Sequence, residues 1–303
     1  VQTCALPIWL LVEETAVSPR VGLAYHVHNS GTVLRASYNR IFMPPFSENL
    51  LLSSSEQARQ LAPNPRQSGS AVHAERQHAF EVGAQQAIGA RARLDLAYYR
   101  KDSRNIADVD QFLDTTVTFP IAVAKGLAQG VEARLDVPVA MGVSGYVSVS
   151  RAKIRMTAPL TGGLFLEDVP APGETFYADH DQRWQSQMGM TYEHPSRRFY
   201  ASGSARFDSG IPFNLPDGFD AATFPDQKAL TLVNFETGRA RPRTIADVVA
   251  GGEIYRRGST KLEAQLGVMN LFDTTYLLNF LSIFNGTHYG APRTWTGRIK
   301  VTF

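Results

Sequence analysis

The chain contains 303 residues, of which 44% are hydrophobic and 19% are charged, a composition that excludes a disordered polymer and a coiled coil. The 30 basic and 28 acidic residues leave a formal net charge of +2, too balanced for the basic footprint of a nucleic-acid-binding protein. Apolar stretches stay shorter than the ~20 residues that a membrane-spanning helix needs, which excludes a helical membrane protein.

The chain opens with the octet VQTCALPI, which resembles the in-frame translation of a sequencing-library adapter. We therefore expect residues 1–8 to be an artefact and native sequence to begin near Trp9; the alternative is a short apolar strand. Cys4, the only cysteine, lies in this octet, so we expect neither a disulfide nor a thiolate metal site. A secretory leader is missing from this end, and we expect further sequence upstream.

Residues 21–38 alternate apolar and polar side chains on both sides of a turn at Asn29-Ser30-Gly31. This period-two pattern, with turn residues that tolerate positive φ, predicts a β-hairpin. Four more segments repeat the pattern around a short turn, and each predicts another hairpin. They span residues 79–101, 126–152, 180–208 and 244–272. Together with one final strand, the sequence predicts eleven strands.

The connections between these strands alternate between turns of a few residues and long segments. The long segments span residues 43–78, 102–125, 153–179, 209–243 and 273–291. Such alternation is typical of outer-membrane β-barrels, whose periplasmic turns are short and whose extracellular loops are long. Strands of about ten residues also match the tilted crossing of the hydrocarbon layer, roughly 9–11 residues. With the C-terminus in the periplasm, every long segment becomes extracellular.

The last strand, within residues 291–303, alternates strictly up to a terminal phenylalanine. A chain that ends on Phe, with apolar residues at every second position before it, resembles the recognition signal of outer-membrane barrels. We predict that four residues carry this assembly signal: Trp295, Ile299, Val301 and Phe303. The alternative is the edge strand of a soluble protein.

The strands have two different faces. One face carries Leu, Val, Ala and Gly with aromatic residues near the strand ends, as expected for a lipid-facing band with interfacial girdles. The other face carries charges of both signs, such as Glu132, Arg134 and Asp136. A soluble barrel would turn its apolar face inward, and periodicity alone does not separate the two arrangements. The loop alternation and the terminal Phe favour an apolar face toward lipid.

Several stretches in order resemble a known family from about residue 16 onward. They are TAVSPRVGLAYHV, SYNRIFMPPFSENL, AERQHAFEVG and GVMNLFDTTY followed by THYGAPRTWTGRIKVTF, with Ala74 where the family usually has Pro. Their order and spacing resemble the C-terminal half of a TonB-dependent outer-membrane receptor. The fold class implied is all-β: a fragment of an antiparallel transmembrane β-barrel with about eleven meandering strands.

Family members of this kind have 22 strands, an N-terminal plug and a segment that docks the energy-transducing protein TonB. We therefore expect residues 9–303 to be the C-terminal portion of such a barrel, with the plug and the first half of the barrel absent. Eleven strands cut from a larger barrel leave two unpaired edges, so we expect an open, curved sheet without independent function.

The resemblance implies a receptor of the outer membrane of a Gram-negative-type bacterium that imports a scarce ligand, such as a siderophore, cobalamin or an oligosaccharide. We expect no enzymatic activity and no cofactor. The implied partners are outer-membrane lipid and lipopolysaccharide, the barrel-assembly machinery, TonB through the missing N-terminal part, and the small-molecule or oligosaccharide ligand. We expect no nucleic-acid partner.

Three motifs suggest chemistry but do not predict a catalytic or metal site. His26 and His28 share a strand face at a spacing that can chelate zinc, but no third ligand accompanies them. In Asp179-His180-Asp181, neighbouring side chains of a strand would point to opposite faces. Ser202 and Ser204 flank a glycine without the strand-turn-helix context of a nucleophile elbow.

Aromatic residues in the long loops are candidates for stacking on a ligand, although they would serve equally to pack the loops on one another. The candidate ligand contacts are Phe46, Phe176, Tyr177, Phe213, Phe284 and Tyr289. Arginine outnumbers lysine 24 to 6, and Arg239, Arg241 and Arg243 are candidates for contact with lipopolysaccharide phosphates or an anionic ligand. The alternative explanation for the arginines is genomic base composition.

Two other functions stay open at this point. A self-contained outer-membrane enzyme of about twelve strands would need an acid, a base and a nucleophile at one rim and a barrel that closes alone. A soluble β-sandwich that binds glycans would need solubility without detergent.

Overall fold

The computed structural model describes most of the chain. The described residues are 14–46, 50, 71–111, 118–162, 170–178, 180–196, 198–213, 215, 218–282 and 286–303. The octet at residues 1–8, with Cys4, and the candidate contact Phe284 lie outside them. Within these ranges, no helix has both the length and the apolar character needed to cross a membrane.

One antiparallel sheet dominates the structure, and its strands follow one another in chain order. Its first half contains β1 (Arg20–Val27), β2 (Thr32–Met43), β3 (Glu75–Ile88), β4 (Ala92–Gln111), β5 (Thr118–Ala140) and β6 (Val143–Thr161). Its second half contains β7 (Thr175–Tyr177), β8 (Trp184–Glu193), β9 (Phe199–Asp208), β12 (Arg243–Arg257), β13 (Thr260–Met269) and β16 (Thr294–Thr302). Strand β7 pairs with β6 outside this order of neighbouring strands. The other eleven strands of the sheet are the eleven predicted from the sequence.

The five predicted hairpins are confirmed, and short turns join their strands. The first pairs Val27 of β1 with Thr32 of β2, and Asn29 and Gly31 in its turn have φ of 60° and 66°. The turn between β5 and β6 contains Met141 and Gly142, both with positive φ. Glycine, which has no Cβ, adopts this left-handed conformation most readily, and asparagine adopts it more readily than most other residues, which explains Gly31, Gly142 and Asn29 in these turns.

The long segments differ in part from the predicted loops. Residues 102–125 are mostly strand, because β4 continues to Gln111 and β5 begins at Thr118. The strands β4, β5 and β6 contain 20, 23 and 19 residues, about twice the length needed to cross the hydrocarbon layer. These three adjacent strands therefore extend well beyond the membrane-spanning part on the side of the long loops.

Two other long segments carry small structures of their own. Residues 209–242 contain the short helix α1 (Gln227–Leu230) and a hairpin of β10 (Val233–Asn234) and β11 (Arg239–Ala240). Residues 273–291 contain a second hairpin of β14 (Leu277–Ser282) and β15 (Gly286–Tyr289). These hairpins are separate from the main sheet.

The apolar and polar faces predicted from the alternation are each continuous across the sheet. Directly paired residues of antiparallel strands point to the same side, so the register assigns every side chain to a face. One such row runs through Leu23, Ala36, Val82, Tyr98 and Val131. On the same face lie the aromatic residues expected near the strand ends: Trp184, Tyr192, Phe199, Phe207 and Trp295.

The sheet is open. Among the described strands, β1 pairs only with β2 and β16 pairs only with β13. Every residue of β16 is exposed, and the predicted assembly residues Trp295 and Ile299 are 63% and 75% exposed. The predicted open sheet with two unpaired edges is therefore what the structure shows.

Candidate functional site

The polar face of the sheet is concave. A cavity of about 920 Å³ is bounded by residues of β4, β5, β6, β8, β9, β12, β13 and β16 together. Strands so far apart in the sheet can bound one space only if the sheet curves around it. Polar side chains that line the cavity include Arg93, Asp136, Tyr146, Thr191, Asp247 and Thr296.

Ion pairs connect neighbouring strands along this concave face. Arg35 of β2 donates two parallel hydrogen bonds to the carboxylate of Asp95 on β4, at 2.6 and 2.7 Å, and contacts Glu81 of β3 at 3.3 Å. The planar guanidinium is suited to this two-point contact with a carboxylate. Farther around, Asp136 binds both Arg93 and Arg134 at 3.0 and 2.8 Å. The charged face is thus a set of compensated pairs rather than a field of one sign.

At the loop end of the concave face, Asp208 anchors two arginines. Arg206 and Arg243 contact its carboxylate at 3.1 and 2.9 Å, and the Asp208 side chain is only 7% exposed. Arg243 also donates to the Leu277 carbonyl, and its guanidinium carbon lies 4.8 Å from the centre of the Tyr276 ring. Arg243 therefore connects the main sheet to the segment that contains β14.

An aromatic cluster joins the two structured loop segments. Ala229, Val233, Leu277 and Phe280 are its buried members. Seven partly buried neighbours surround them, among them Phe213, Phe219, Phe224 and Tyr289. Phe213 and Phe224 meet the ring of Phe280 edge-on, with centroids 5.1 and 5.7 Å away. Edge-to-face contacts of this kind add to the energy of simple burial.

A tyrosine-carboxylate pair lies at the margin of this cluster. The Tyr289 hydroxyl is 2.9 and 2.7 Å from the two carboxylate oxygens of Asp226, to one of which it donates. Asp226 also accepts a hydrogen bond from the Ala229 amide at the start of α1. Burial and the Asp226 carboxylate raise the pKa of Tyr289 to about 12, and the Tyr289 hydroxyl lowers the pKa of Asp226. The pair fixes β15 against α1.

A third cluster surrounds Tyr177. Asp181 is completely buried, and its carboxylate contacts Arg183 at 2.5 Å and also Arg239. Both guanidinium groups lie beside the Tyr177 ring, with centroid distances of 4.5 and 5.6 Å. The neighbouring cations, Arg183 first and then Arg155, lower the pKa of the Tyr177 hydroxyl.

The structure separates the candidate ligand contacts. Tyr177 pairs with Arg155 on the outward face of β6, whereas Phe176 pairs with Met156 on the concave side. Phe213 and Tyr289 lie together in the aromatic cluster, in agreement with the alternative that these side chains pack the loops. Phe46 follows the end of β2 by three residues and is 55% exposed. Phe284 lies outside the described residues.

Two of the candidate arginines are largely buried, and one of the candidate serines has a hydrogen-bond partner. The side chains of Arg239 and Arg243, expected at the surface, are only 16% and 15% exposed because each is bound to a buried carboxylate. Ser202 lies on the concave face, and its hydroxyl forms a hydrogen bond of 2.8 Å with the hydroxyl of Thr191. In the part of the chain that the structure describes, no group of three or more His, Cys, Asp or Glu residues could hold a metal ion.

Comparison with protein families identifies the family of the chain. A family model described as "TonB dependent receptor-like, beta-barrel" matches residues 12–271. The chain belongs to this family. The fold class and the outer-membrane location expected from the sequence are thereby confirmed. TonB-dependent receptors bind small molecules such as siderophores, and members of the family are receptors and transporters rather than enzymes.

Solved structures share the fold of this TonB-dependent receptor barrel at low sequence identity. They include the pyoverdine receptor FpvA of Pseudomonas aeruginosa PAO1, bound to pyoverdine (18% identity, TM-score 0.59), which covers 94% of this chain and 35% of its own length. They also include the ferric-catecholate import receptor Fiu of Escherichia coli K12 (18% identity, TM-score 0.59), where the match covers 93% of this chain and 34% of Fiu. A third is the copper transporter OprC (15% identity, TM-score 0.61), where the match covers 94% of this chain and 40% of OprC. The chain thus spans between a third and two fifths of these structures, and it matches no curated protein significantly.

Proposed function

We propose that the chain is the C-terminal barrel portion of an energy-coupled outer-membrane receptor that binds a scarce ligand and imports it into the periplasm. The observation that carries the proposal is the two-faced sheet of this TonB-dependent receptor barrel. Its concave face carries compensated ion pairs around a cavity, and its convex face carries an apolar band. A wall that is polar inside and apolar outside suits a water-filled passage through lipid.

The proposed chemistry is binding and gating, without a covalent step or a resident cofactor. Arg35, Arg93 and Arg134 keep the passage hydrophilic, and their carboxylate partners prevent them from trapping an anionic ligand on its way through. The structured loops would make the first contact with the ligand. Phe46 and Phe176 stay candidates for that contact, whereas Phe213 and Tyr289 would hold the loops in shape.

For the ligand class, we propose a metal chelate as the first candidate. The solved structures of this fold include receptors named for pyoverdine, a ferric catecholate and ferric citrate, and a copper transporter. Cobalamin and oligosaccharides are the second candidates, because the aromatic loops would also stack on a corrin or a sugar ring.

The remaining parts of the receptor are also a proposal. Residues 9–303 would supply the second half of the barrel, while a plug and the strands that pair with β1 would come from the rest of the full-length protein. TonB would act through that part. The barrel-assembly machinery would recognise β16, whose outward residues Trp295, Ile299, Val301 and Phe303 are exposed.

The test is uptake by the full-length receptor in cells. A strain without the receptor and a complemented strain are supplied with iron-55 as ferric hydroxamate, ferric catecholate or ferric citrate, and with labelled copper, cobalamin and oligosaccharide. We expect one ligand to accumulate only in the complemented strain and only while the membrane is energised. Equal accumulation of every ligand with and without the receptor, together with hydrolysis of an outer-membrane substrate, would favour the enzyme instead.

A further inference from the structure

Three segments on the loop side of the sheet are linked to one another by contacts that the chain order does not require. Residues 178–183 lie between β7 and β8, residues 209–242 between β9 and β12, and residues 273–291 between β13 and β16. Each segment has its own pair of strands as a base, so the topology alone does not oblige the three to move together. Whether they do so depends on the side chains that join them.

Arg239 of β11 joins residues 209–242 to residues 178–183. Its guanidinium contacts the Asp181 carboxylate and donates to the main-chain carbonyls of Asp181 and Gly210, at 2.6 and 3.2 Å. The carboxylate also contacts Arg183 at 2.5 Å and accepts a hydrogen bond of 2.6 Å from the Ile154 amide of β6. Asp181 is completely buried, and a buried charge that loses a partner costs much free energy. Separation of the two segments is therefore unfavourable.

Main-chain hydrogen bonds connect β11 to the rest of its own segment. The Phe213 amide donates to the Gly238 carbonyl at 3.0 Å, and the Ala240 amide donates to the Ile211 carbonyl at 2.9 Å. On its other side, β11 pairs with β10, which closely follows α1. A displacement of β11 is therefore transmitted to Phe213 and to β10 through these bonds.

Phe213 and β10 belong to the aromatic cluster, which joins residues 209–242 to residues 273–291. Phe280 and Leu277 of β14, each 3% exposed, are buried there with Val233 of β10. The edge-on contact of Phe213 with Phe280 crosses between the same two segments. Separation of these segments would expose the apolar side chains to water, which is unfavourable.

A separate cluster lies at the loop ends of β3, β4 and β5. Leu50, Val72 and Ala122 are buried together, and the Ala107 amide donates to the buried carboxylate of Glu75 at 3.1 Å. These residues lie outside the three linked segments. They therefore provide an internal reference for a change that is confined to those segments.

We propose that residues 178–183, 209–242 and 273–291 form one cooperative unit, the loop unit, in which Arg239 is the positioning residue that couples the first segment to the last. Opening of one segment then requires disruption of the buried charge or of the aromatic cluster, so the three open together rather than one by one. The loop unit goes beyond the proposed import function, because it follows from these contacts and does not depend on which ligand is bound.

The loop unit also has a consequence for ligand binding. Phe176, a candidate ligand contact, lies in β7 two residues before the first segment. A ligand that contacts Phe176 and orders residues 178–183 would also order residues 273–291, since the coupling acts in both directions. This consequence rests on the proposed function, whereas the loop unit itself does not.

The test is hydrogen–deuterium exchange of the full-length receptor in micelles, measured for each segment by mass spectrometry. Arg239→Gln removes one cation from Asp181, and we expect amide exchange at least about threefold faster in all three segments. The decisive segment is residues 273–291, with which Arg239 shares no hydrogen bond, ion pair or ring contact in the part of the chain that the structure describes. Arg239→Lys keeps the charge and is expected to give a smaller increase.

Arg241→Gln is the matched control, because the Arg241 guanidinium donates to the Val233 carbonyl within its own segment, at 3.2 Å. We expect this variant to leave the exchange of residues 178–183 and 273–291 unchanged. Phe280→Leu tests the coupling from the opposite end. It weakens the aromatic cluster and is expected to make exchange of residues 178–183 at least about threefold faster.

Unchanged exchange of residues 273–291 in Arg239→Gln, or of residues 178–183 in Phe280→Leu, would overturn the proposal. An equal increase at residues 71–75 and 118–123 would also overturn it, because that result would indicate general destabilisation of the barrel. If Arg239→Gln does not assemble, Phe280→Leu decides in the same measurement. Ligand uptake is measured separately, so the loop unit and the import function fail independently.

Discussion

Individual side chains in this barrel segment act mainly by connecting elements that are far apart in the sequence. Arg35 ties together three strands, Arg243 ties a strand to a loop hairpin, and Tyr289 ties β15 to α1. Each of these side chains is partly enclosed, so its hydrogen bonds are protected from water and contribute more than an exposed surface pair does.

The Tyr289–Asp226 pair predicts a pH-dependent stability of the aromatic cluster. The pKa of Tyr289 is raised to about 12, so its contribution is complete below pH ~10, the ordinary value for tyrosine, and is lost as the pH rises toward 12. The pKa of Asp226 is lowered, so its contribution is present above pH ~4 and is lost only at lower pH. We expect resistance of residues 209–242 to an alkaline protease to be constant near neutral pH and to fall above pH ~10.

The variant Tyr289→Phe isolates this hydrogen bond, because it keeps the ring in the cluster. We expect about three- to tenfold faster cleavage of residues 209–242 at pH 8 and a much weaker dependence on alkaline pH. Asp226→Asn is the matched control for charge, because the amide oxygen still caps α1. Cleavage of Tyr289→Phe at the wild-type rate would show that ring packing alone holds the loops.

Removal of Arg35 is predicted to destabilise the barrel wall. Arg35→Met leaves Asp95 and Glu81 facing each other without a cation, and we expect a loss of about 2 kcal/mol in the free energy of unfolding. Arg35→Lys keeps the charge but loses the two-point contact, so an intermediate loss is expected. The exposed pair of Arg100 with Asp102 provides the control, since Arg100→Met is expected to lower the free energy of unfolding much less. Urea unfolding of the folded receptor in micelles measures all three.

At the scale of elements, the period-two pattern was sufficient to predict eleven strands and both faces. It was insufficient for residues 102–125, because the alternation weakens there, although β4 and β5 keep one register from Arg104–Lys125 to Ile106–Val123. The packing of Phe213 against Phe280 was also beyond the sequence, since nothing local relates two loops 67 residues apart.

The last strand predicts an assembly phenotype. Val301 and Phe303 point outward from β16, whereas Thr302 points to the opposite face. We expect the double variant Val301→Ser and Phe303→Ser to lower the amount of full-length receptor in the outer membrane several-fold, measured by heat-modifiable migration of isolated membranes. Thr302→Ser is the control, and it should leave assembly unchanged. An equal loss in both variants would contradict a signal carried by the outward face.

For the molecule as a whole, the open sheet determines how the 303-residue chain behaves alone. Unpaired backbone N–H and C=O groups along β1 and β16 cost free energy in lipid and promote aggregation in water. We expect the isolated chain to aggregate in detergent and to lack heat-modifiable migration. Co-expression with the remaining half of the barrel should restore both solubility and migration. Monomeric, heat-modifiable chain without that half would instead support a small barrel that closes by itself.

The unbroken pairing of β2, β3 and β4 also restricts which insertions the gene can accept. Because alternate residues face opposite environments, inserting one codon directly after Tyr98 would turn Arg100 and Asp102 toward the passage and Lys101 toward the membrane. Insertions of two codons would preserve both faces. Lineages that descend from this sequence should therefore accumulate paired insertions within the strands, and single ones only at the turns and in the long loops.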